Sequence, residues 1–166
     1  MDGNTYNVLF LSERNSVRSI MAEALLNYLG QGRFHAYSAG CHPTGTVDPL
    51  ALDKLRQEDI PAPGARSKAW EEFAQLHAPP MDFVITVCED AMRDVCPIWP
   101  GRPIVARWAL FDPVAVAASD GQFRIAFAKA FVILERRIVL FASLNPATLK
   151  RLALSHSVRA IGNDEP

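Results

Sequence analysis

The sequence predicts an α/β fold, a three-layer sandwich around a four-stranded parallel sheet. Short apolar runs alternate along the chain with longer segments in which apolar residues recur at helical spacing, a pattern typical of parallel sheets. Hydrophobic residues make up 49% of the 166 residues and charged residues 21%, which is enough apolar material for a sizeable core. No internal repeat, linker or low-complexity segment interrupts the chain, so we expect one domain over residues 1–166.

Four short runs predict the strands of this sheet. The first and third are mostly apolar, as expected of central strands that are buried on both faces. The predicted strands cover residues 7–11, 34–40, 83–87 and 104–108. Ligands bind at the carboxyl ends of the strands in such sheets. The residues at these strand ends, which are Ser12, Ser38–Gly40, Cys88 and the stretch after Trp108, are therefore expected to share one mouth.

The helices are predicted from apolar spacing and from the residues at their ends. The first runs to Leu29 and is followed by two glycines that end it. Asp48 and Pro49 are a favourable N-cap and first position for the second helix, which runs to about Glu58. Further helical segments are predicted from Ser67 through Leu76, from Glu89 to Val95, from after Gln122 to Pro146, and in a C-terminal extension from about residue 147.

Charge and composition narrow the classes of function. The net charge of −1 argues against a general nucleic-acid or membrane-surface binder, so any positive field must be local. We expect no nucleic-acid partner, no membrane partner and a cytoplasmic location, because neither a signal pattern nor a membrane-spanning apolar run is visible. The 3 cysteines suggest no disulfide framework, and the 4 histidines show no metal spacing. We therefore expect no metal and no cofactor.

The strongest functional signal lies between the first strand and the first helix. Backbone N–H groups converge where a strand feeds a loop that opens a helix, and the helix N-terminus carries partial positive charge. Arg18 stands in the first helical turn, where a positive charge is otherwise unfavourable, and it would add a planar, bidentate donor for an oxyanion. The 12–19 loop, our candidate anion site, comprises Ser12, Glu13, Arg14, Asn15, Ser16, Val17, Arg18 and Ser19.

The 12–19 loop resembles the phosphate loop of the low-molecular-weight protein tyrosine phosphatases and the related thiol-dependent arsenate reductases. That family carries Cys-x5-Arg-Ser between its first strand and first helix, and this chain reads Ser12-x5-Arg18-Ser19 with Asn15 also in place. Asn15-Ser16 and the following residues 21–23 are most similar to the arsenate reductase branch. The resemblance implies that the loop backbone and Arg18 bind phosphate, arsenate or a phosphorylated ligand.

Three residues of the loop depart from the family pattern. Ser12 stands at the nucleophilic cysteine, Arg14 at a glycine and Val17 at a frequent second cysteine. A serine hydroxyl has a far higher pKa than a thiol and needs an adjacent base, which the sequence does not reveal. We therefore expect a catalytically impaired, oxyanion-binding pseudo-enzyme. Arg14 either strains the loop, adds a second charge for the anion, or is solvated like its neighbour Glu13.

Two further regions carry candidate chemistry. Asp112-Pro113 follows the fourth strand, where the family places its general acid, although an aspartate before proline is also a common turn. Cys88 and Cys96 resemble the cysteines that take over the oxidised intermediate in arsenate reductases, with a thiol reductant as partner; otherwise they are simple buried or loop thiols. Cys41 is expected to be structural. An active arsenate reductase or phosphomonoester phosphatase that uses Ser12 or Cys88 remains the alternative.

Overall fold

The computed structural model of the chain describes residues 5–89, 99–151 and 162. Its strands are β1 (Tyr6–Ser12), β2 (Phe34–Gly40), β3 (Phe83–Thr86) and β4 (Ile104–Arg107). Its helices are α1 (Arg18–Leu29), α2 (Pro49–Gln57), α3 (Asp120–Ala142) and α4 (Pro146–Lys150), with one 3₁₀ turn at Trp70–Phe73. The strands form one sheet in the order β2-β1-β3-β4, and all three neighbouring pairs are parallel. The predicted four-stranded parallel sheet, flanked by helices, is confirmed.

The larger core cluster packs the helices α1 and α3 against one face of the sheet. The apolar stripe that predicted the long helix is buried: Phe127, Phe131, Leu134, Ile138 and Phe141 are each at most 2% exposed. Burial of each such side chain contributes about 1.5–3 kcal/mol. On the opposite face, a smaller cluster joins Leu9, Leu11 and Val84 to Phe73 and Trp99. The sheet is therefore covered on both faces, and its carboxyl edge carries the 12–19 loop.

The segment from Ser67 through Leu76 differs from its prediction. Only the 3₁₀ turn Trp70–Phe73 forms, and Leu76 is 93% exposed, so the prediction of a longer helix is wrong. The three apolar positions do not share one buried face, because only Phe73 enters the core. Ser67 does not cap a helix, since its hydroxyl accepts from Gly45 N at 3.1 Å and donates to Arg14 O at 3.1 Å.

Helix boundaries elsewhere differ slightly from the expectations. α3 begins at Asp120, before Gln122, because the Ser119 side chain caps it by accepting from Gln122 N. α3 ends at Ala142, and Pro146 begins the separate α4. The expected helix from Glu89 to Val95 lies, after its first residue, outside the described residues, as does most of the C-terminal extension. No helix within residues 5–89 and 99–151 is long and apolar enough to cross a membrane.

Candidate functional site

The 12–19 loop turns its carbonyl groups outward. Four of its carbonyls accept from backbone N–H groups of the segment that follows β2. Arg14 O also accepts from Ser67 Oγ, and Val17 O accepts from Met21 N in α1. Because a trans peptide points its N–H opposite to its C=O, the four pairings direct the N–H groups of residues 13, 14, 15 and 17 toward the inside of the loop. The pairs are Cys41 N to Ser12 O (3.2 Å), His42 N to Glu13 O (2.8 Å), Thr44 N to Arg14 O (3.2 Å) and Asp48 N to Ser16 O (3.0 Å).

Asn15 holds the loop's one left-handed backbone conformation, with φ 48°. Asparagine tolerates this conformation better than most residues. Arg14 has no positive φ, so backbone strain, one of the three alternatives considered for this residue, does not arise. Arg14 and Glu13 are both exposed at the rim of the loop, where they would face an incoming ligand or solvent.

Gly40, the last residue of β2, lets the loop approach the sheet. A Cβ there would lie 2.8 Å from Glu13 O and 3.0 Å from both Asn15 Cβ and Asn15 N. Such distances are too short for any L side chain, so the loop backbone packs directly on this glycine. Gly40, one of the strand-end residues expected at the mouth, is thus in contact with the loop.

Ser12 is buried at the base of the loop and engaged by other loop residues. Its Oγ lies 2.6 Å from Ser19 Oγ and accepts from Asn15 N at 3.2 Å. Asn15 Nδ2 in turn donates to Ser19 Oγ at 2.8 Å. Within the described part of the chain, no carboxylate, imidazole or amine hydrogen-bonds to the Ser12 hydroxyl. The arrangement therefore holds Ser12 as a hydrogen-bonding group without a general base to activate it.

Arg18 and Asp112 meet at the mouth, although 93 residues separate them in the sequence. Arg18 Nη1 donates to Leu110 O at 3.0 Å, and Arg18 Nη2 lies 3.7 Å from Asp112 Oδ2. Asp112 Oδ1 also accepts from Val114 N at 3.0 Å, so Asp112 is a turn residue as well as the partner of Arg18. Both readings of Asp112 given by the sequence are thus compatible with its position.

Two thiols lie on either side of the same edge. The Cys41 thiol donates toward Ser12 O at 3.9 Å, and Cys88 is 4% exposed beyond the end of β3. Burial raises the pKa of Cys88, although Arg18 and a hydrogen bond from the Glu13 backbone lower it. Burial, with nearby acidic groups, raises the pKa of Cys41 to about 11. Both thiols are therefore protonated at neutral pH and are poor nucleophiles. Cys96 lies outside the described residues.

A buried polar cluster behind the loop was not found from the sequence. Lys68 is 8% exposed, and its Nζ donates to Ser38 Oγ at 3.3 Å and lies 3.8 Å from the carboxylate of Glu23. Ser38 also donates to Glu23. Burial raises the pKa of Glu23 and lowers that of Lys68. No sequence signal marks a lysine as buried. The packing of α1 against β2 brings Glu23 to Ser38, and the backbone bonds of Lys68 to Gly40 and Asn15 bring the lysine to them.

The arrangement suits a tetrahedral oxyanion. The inward N–H groups and Arg18 all belong to the loop that leads into the N-terminus of α1, and the first turn of α1 contains no acidic residue. Within the described residues, no group of three or more histidine, cysteine, aspartate or glutamate side chains could hold a metal ion. Electrostatic binding of an anion is therefore the chemistry that these residues support.

Comparison with known proteins agrees with this geometry. The arsenate reductase of Oceanobacillus iheyensis is 30% identical over 135 residues, covering 81% of this chain and 94% of the relative. The glutaredoxin arsenate reductase of Synechocystis sp. is 33% identical over 115 residues, covering 69% and 79%. A solved arsenate reductase in its phosphate-binding state superposes with a TM-score of 0.63 and 29% identity, covering 81% of this chain and 97% of that structure.

The chain also matches a protein family as a whole. Residues 7–138, from β1 to the second half of α3, match the low molecular weight phosphotyrosine protein phosphatase family. This span includes the 12–19 loop, Cys88 and Asp112. Fold, loop geometry and sequence similarity thus agree, and the chain belongs to the low molecular weight phosphotyrosine protein phosphatase family, with arsenate reductases among its relatives.

Proposed function

We propose that this protein binds phosphate, arsenate or the phosphate group of a phosphorylated ligand in the 12–19 loop, without turning it over. The proposal rests on the hydrogen bonding of the Ser12 hydroxyl. Its hydroxyl is bonded to Ser19 and to the Asn15 backbone, and no base is bonded to it within the described residues. The binding donors are retained while the expected nucleophile is a hydroxyl. A pseudo-enzyme that senses or sequesters an oxyanion fits this combination.

Binding draws support from the loop and from a relative. The inward N–H groups and Arg18 offer charge-assisted hydrogen bonds, which are about twice as strong as neutral ones. A related arsenate reductase has been solved in a phosphate-binding state. Titration calorimetry of this protein with inorganic phosphate and with arsenate tests the proposal. Saturable binding of both anions supports the proposal, and the absence of binding heat with both anions contradicts it.

Loss of catalysis is tested with Ser12→Cys. We expect the unaltered protein to leave an aryl phosphate intact and to leave arsenate unreduced in the presence of a thiol donor. We expect Ser12→Cys to gain aryl phosphate hydrolysis, because a thiolate at this position would lie within the inward N–H groups and near Arg18. Ser12→Ala is the matched control, since it removes the hydroxyl without supplying a nucleophile. Turnover by the unaltered protein would contradict the proposal.

An active enzyme that uses Cys88 is the second candidate. The observation that favours it is the proximity of Cys88 to Arg18 and to the Glu13 backbone. The raised pKa of Cys88 opposes it, because little thiolate forms at neutral pH. Arsenate reduction by the unaltered protein that disappears in Cys88→Ala would establish this candidate, and a thiol reductant would then be the expected partner. A cytoplasmic location remains a prediction from the sequence.

A further inference from the structure

The buried Lys68 connects α1 and β2 to the back of the 12–19 loop. Its ammonium donates to Ser38 Oγ in β2 and to Arg66 O, and it faces Glu23 in α1 at 3.8 Å. Its backbone carbonyl accepts from Gly40 N at 2.9 Å. Its backbone N–H donates to Asn15 Oδ1 at 2.9 Å. One residue therefore fixes the segment that contacts Asn15 against both the first helix and the second strand.

The contact with Lys68 sets the orientation of the Asn15 side chain. A backbone N–H can only donate, so the Asn15 atom that it meets must be the amide oxygen. The Asn15 amide nitrogen then points toward Ser19 Oγ, at 2.8 Å, and donates to it. The side-chain amide cannot turn over without placing two donors against each other at Lys68. The donor and the acceptor are therefore fixed in both hydrogen bonds, from Lys68 N to Asn15 Oδ1 and from Asn15 Nδ2 to Ser19 Oγ.

The same order of donors and acceptors extends from Ser19 to Ser12. Ser19 Oγ already accepts from Asn15, and its own hydrogen can be given to Ser12 Oγ, 2.6 Å away. Ser12 Oγ also accepts from Asn15 N at 3.2 Å. With both lone pairs engaged, Ser12 turns its hydrogen toward the inside of the loop. A bound anion favours this arrangement, because the opposite one would aim a lone pair of Ser12 at the anion.

We propose that Lys68 is a positioning residue of the 12–19 loop. Its buried ammonium, held by Glu23 and Ser38, fixes its own segment, and the backbone N–H of that segment orients the Asn15 amide and thereby makes Ser12 a hydrogen-bond donor to the oxyanion. This inference rests on the proposed binding function and adds a residue that the loop motif does not contain. It also gives Ser12 a role other than that of a failed nucleophile. Lys68 does not touch the ligand, and it acts through Asn15 and Ser19.

The test combines NMR spectra with phosphate titration. The side-chain amide of Asn15 and the backbone amides of the 12–19 loop are assigned in ¹⁵N-labelled unaltered protein and in Lys68→Met. Glu23→Gln/Lys68→Met removes both buried charges and guards against simple unfolding of the single variant. Lys54→Met is the matched control, because it breaks the Lys54–Glu58 ion pair of 2.6 Å in α2, at a different place in the structure.

We expect both Lys68 variants to shift the Asn15 side-chain amide resonances without ligand and to weaken phosphate affinity at least about tenfold, the size of one lost hydrogen bond to a charged group. The double variant should recover thermal stability without recovering affinity, which separates positioning from mere stabilisation. Lys54→Met should leave the resonances and the affinity unchanged.

Unshifted Asn15 resonances in a folded Lys68 variant, with affinity within about twofold of the unaltered protein, would overturn the inference; such a change is below half of one hydrogen bond. Affinity that merely follows thermal stability across the variants would overturn it as well. If the unaltered protein binds no phosphate, the proposed function fails, and the Asn15 resonances alone then decide whether Lys68 positions the loop.

Discussion

The two ends of the 12–19 loop are held in different ways. At the mouth, Arg18 has one hydrogen bond, to Leu110 O, and one loose ion pair of 3.7 Å with Asp112, whose side chain is 24% exposed. At the back, Asn15 is fully buried, and its side-chain oxygen and nitrogen both have protein partners. The two ends of the loop therefore differ in what their side chains do. The mouth keeps donors for a ligand, because a guanidinium has five N–H donors, whereas the back fixes the shape of the loop.

Removal of Arg18 should have the largest effect on binding. We expect Arg18→Ala to weaken phosphate affinity by about 3 kcal/mol, roughly a hundredfold, because two charge-assisted hydrogen bonds are lost. Arg18→Lys keeps the charge without the planar fork and should fall between the two. Calorimetric titration measures all three proteins. Affinity of Arg18→Ala within about threefold of the unaltered protein would show that the mouth does not bind the anion.

Removal of Lys68 should have the second largest effect, this time on stability. We expect Lys68→Met to lower the free energy of unfolding by about 2 kcal/mol at neutral pH, because Glu23 is left in a partly buried site without its cation. The exposed pair Arg66–Glu72 offers a control, and Glu72→Gln should cost about 0.5 kcal/mol or less. Urea unfolding gives both values. If Lys68→Met and Glu72→Gln lose the same free energy of unfolding, burial of the Lys68–Glu23 pair is unimportant.

The loss in Lys68→Met should depend on pH. Burial raises the pKa of Glu23, and removal of Lys68 takes away the main charge that opposes this rise. Glu23 in the folded variant therefore takes up a proton at a higher pH than in the unfolded chain, so its unfavourable contribution is relieved as pH falls through that raised pKa. The deficit should be larger at pH 8 than at pH 5, although Tyr37, Arg66 and Glu72 also lie near the pair. A deficit that grows on acidification would contradict this account.

A methyl group at Gly40 tests how closely the loop must approach the sheet. We expect Gly40→Ala to lower the free energy of unfolding by about 1.5 kcal/mol, because its Cβ would lie 2.8 Å from Glu13 O. Phosphate affinity should fall as well, since Asn15 must move. Gly121→Ala in α3 is the matched control: its Cβ meets nothing within 4 Å, and alanine favours the helix by up to about 1 kcal/mol. If Gly40→Ala leaves the free energy of unfolding unchanged, the loop does not depend on its close approach to Gly40.

Asp112→Asn should have the smallest effect. The amide keeps an oxygen that can accept from Val114 N, so the turn should survive. We expect phosphate affinity to rise by about twofold, roughly 0.5 kcal/mol, because a partly exposed carboxylate beside the anion is neutralised. Calorimetry at low salt measures the change best. Weaker binding in Asp112→Asn would mean that the ion pair with Arg18 orients the guanidinium more than it opposes the ligand.

Much of the mouth could be predicted from the sequence. The spacing of Ser12, Arg18 and Ser19 lies on a single strand–loop–helix unit, whose geometry is local and therefore visible in one stretch of sequence. Asp112 was singled out because the family resemblance places a general acid in the loop after the fourth strand. The alternation of apolar runs likewise predicted the parallel sheet. Each of these signals lies within one short stretch of the sequence, although the structure brings Asp112 to Arg18 from far along the chain.

The back of the loop could not be predicted in the same way. Lys68, Ser38 and Glu23 come from a loop, a strand and a helix, and none lies in a pattern that marks it as buried. The short turn at Trp70–Phe73 was mistaken for a longer helix, because three apolar positions fit helical spacing while only Phe73 reaches the core. The conformation at Asn15 was also not evident, since Arg14 and not Asn15 replaces the expected glycine.

The sequence by itself determined the class of fold, the position of the 12–19 loop and the residue types in that candidate site, because these depend on local periodicity and spacing. Only the tertiary structure decided how those residues are held. The pairing of Lys68 with Gly40 places its ammonium beside Glu23, and the backbone that follows β2 pairs with the loop carbonyls. Such contacts join residues far apart in the chain, and their energies depend on burial, which is a property of the folded molecule.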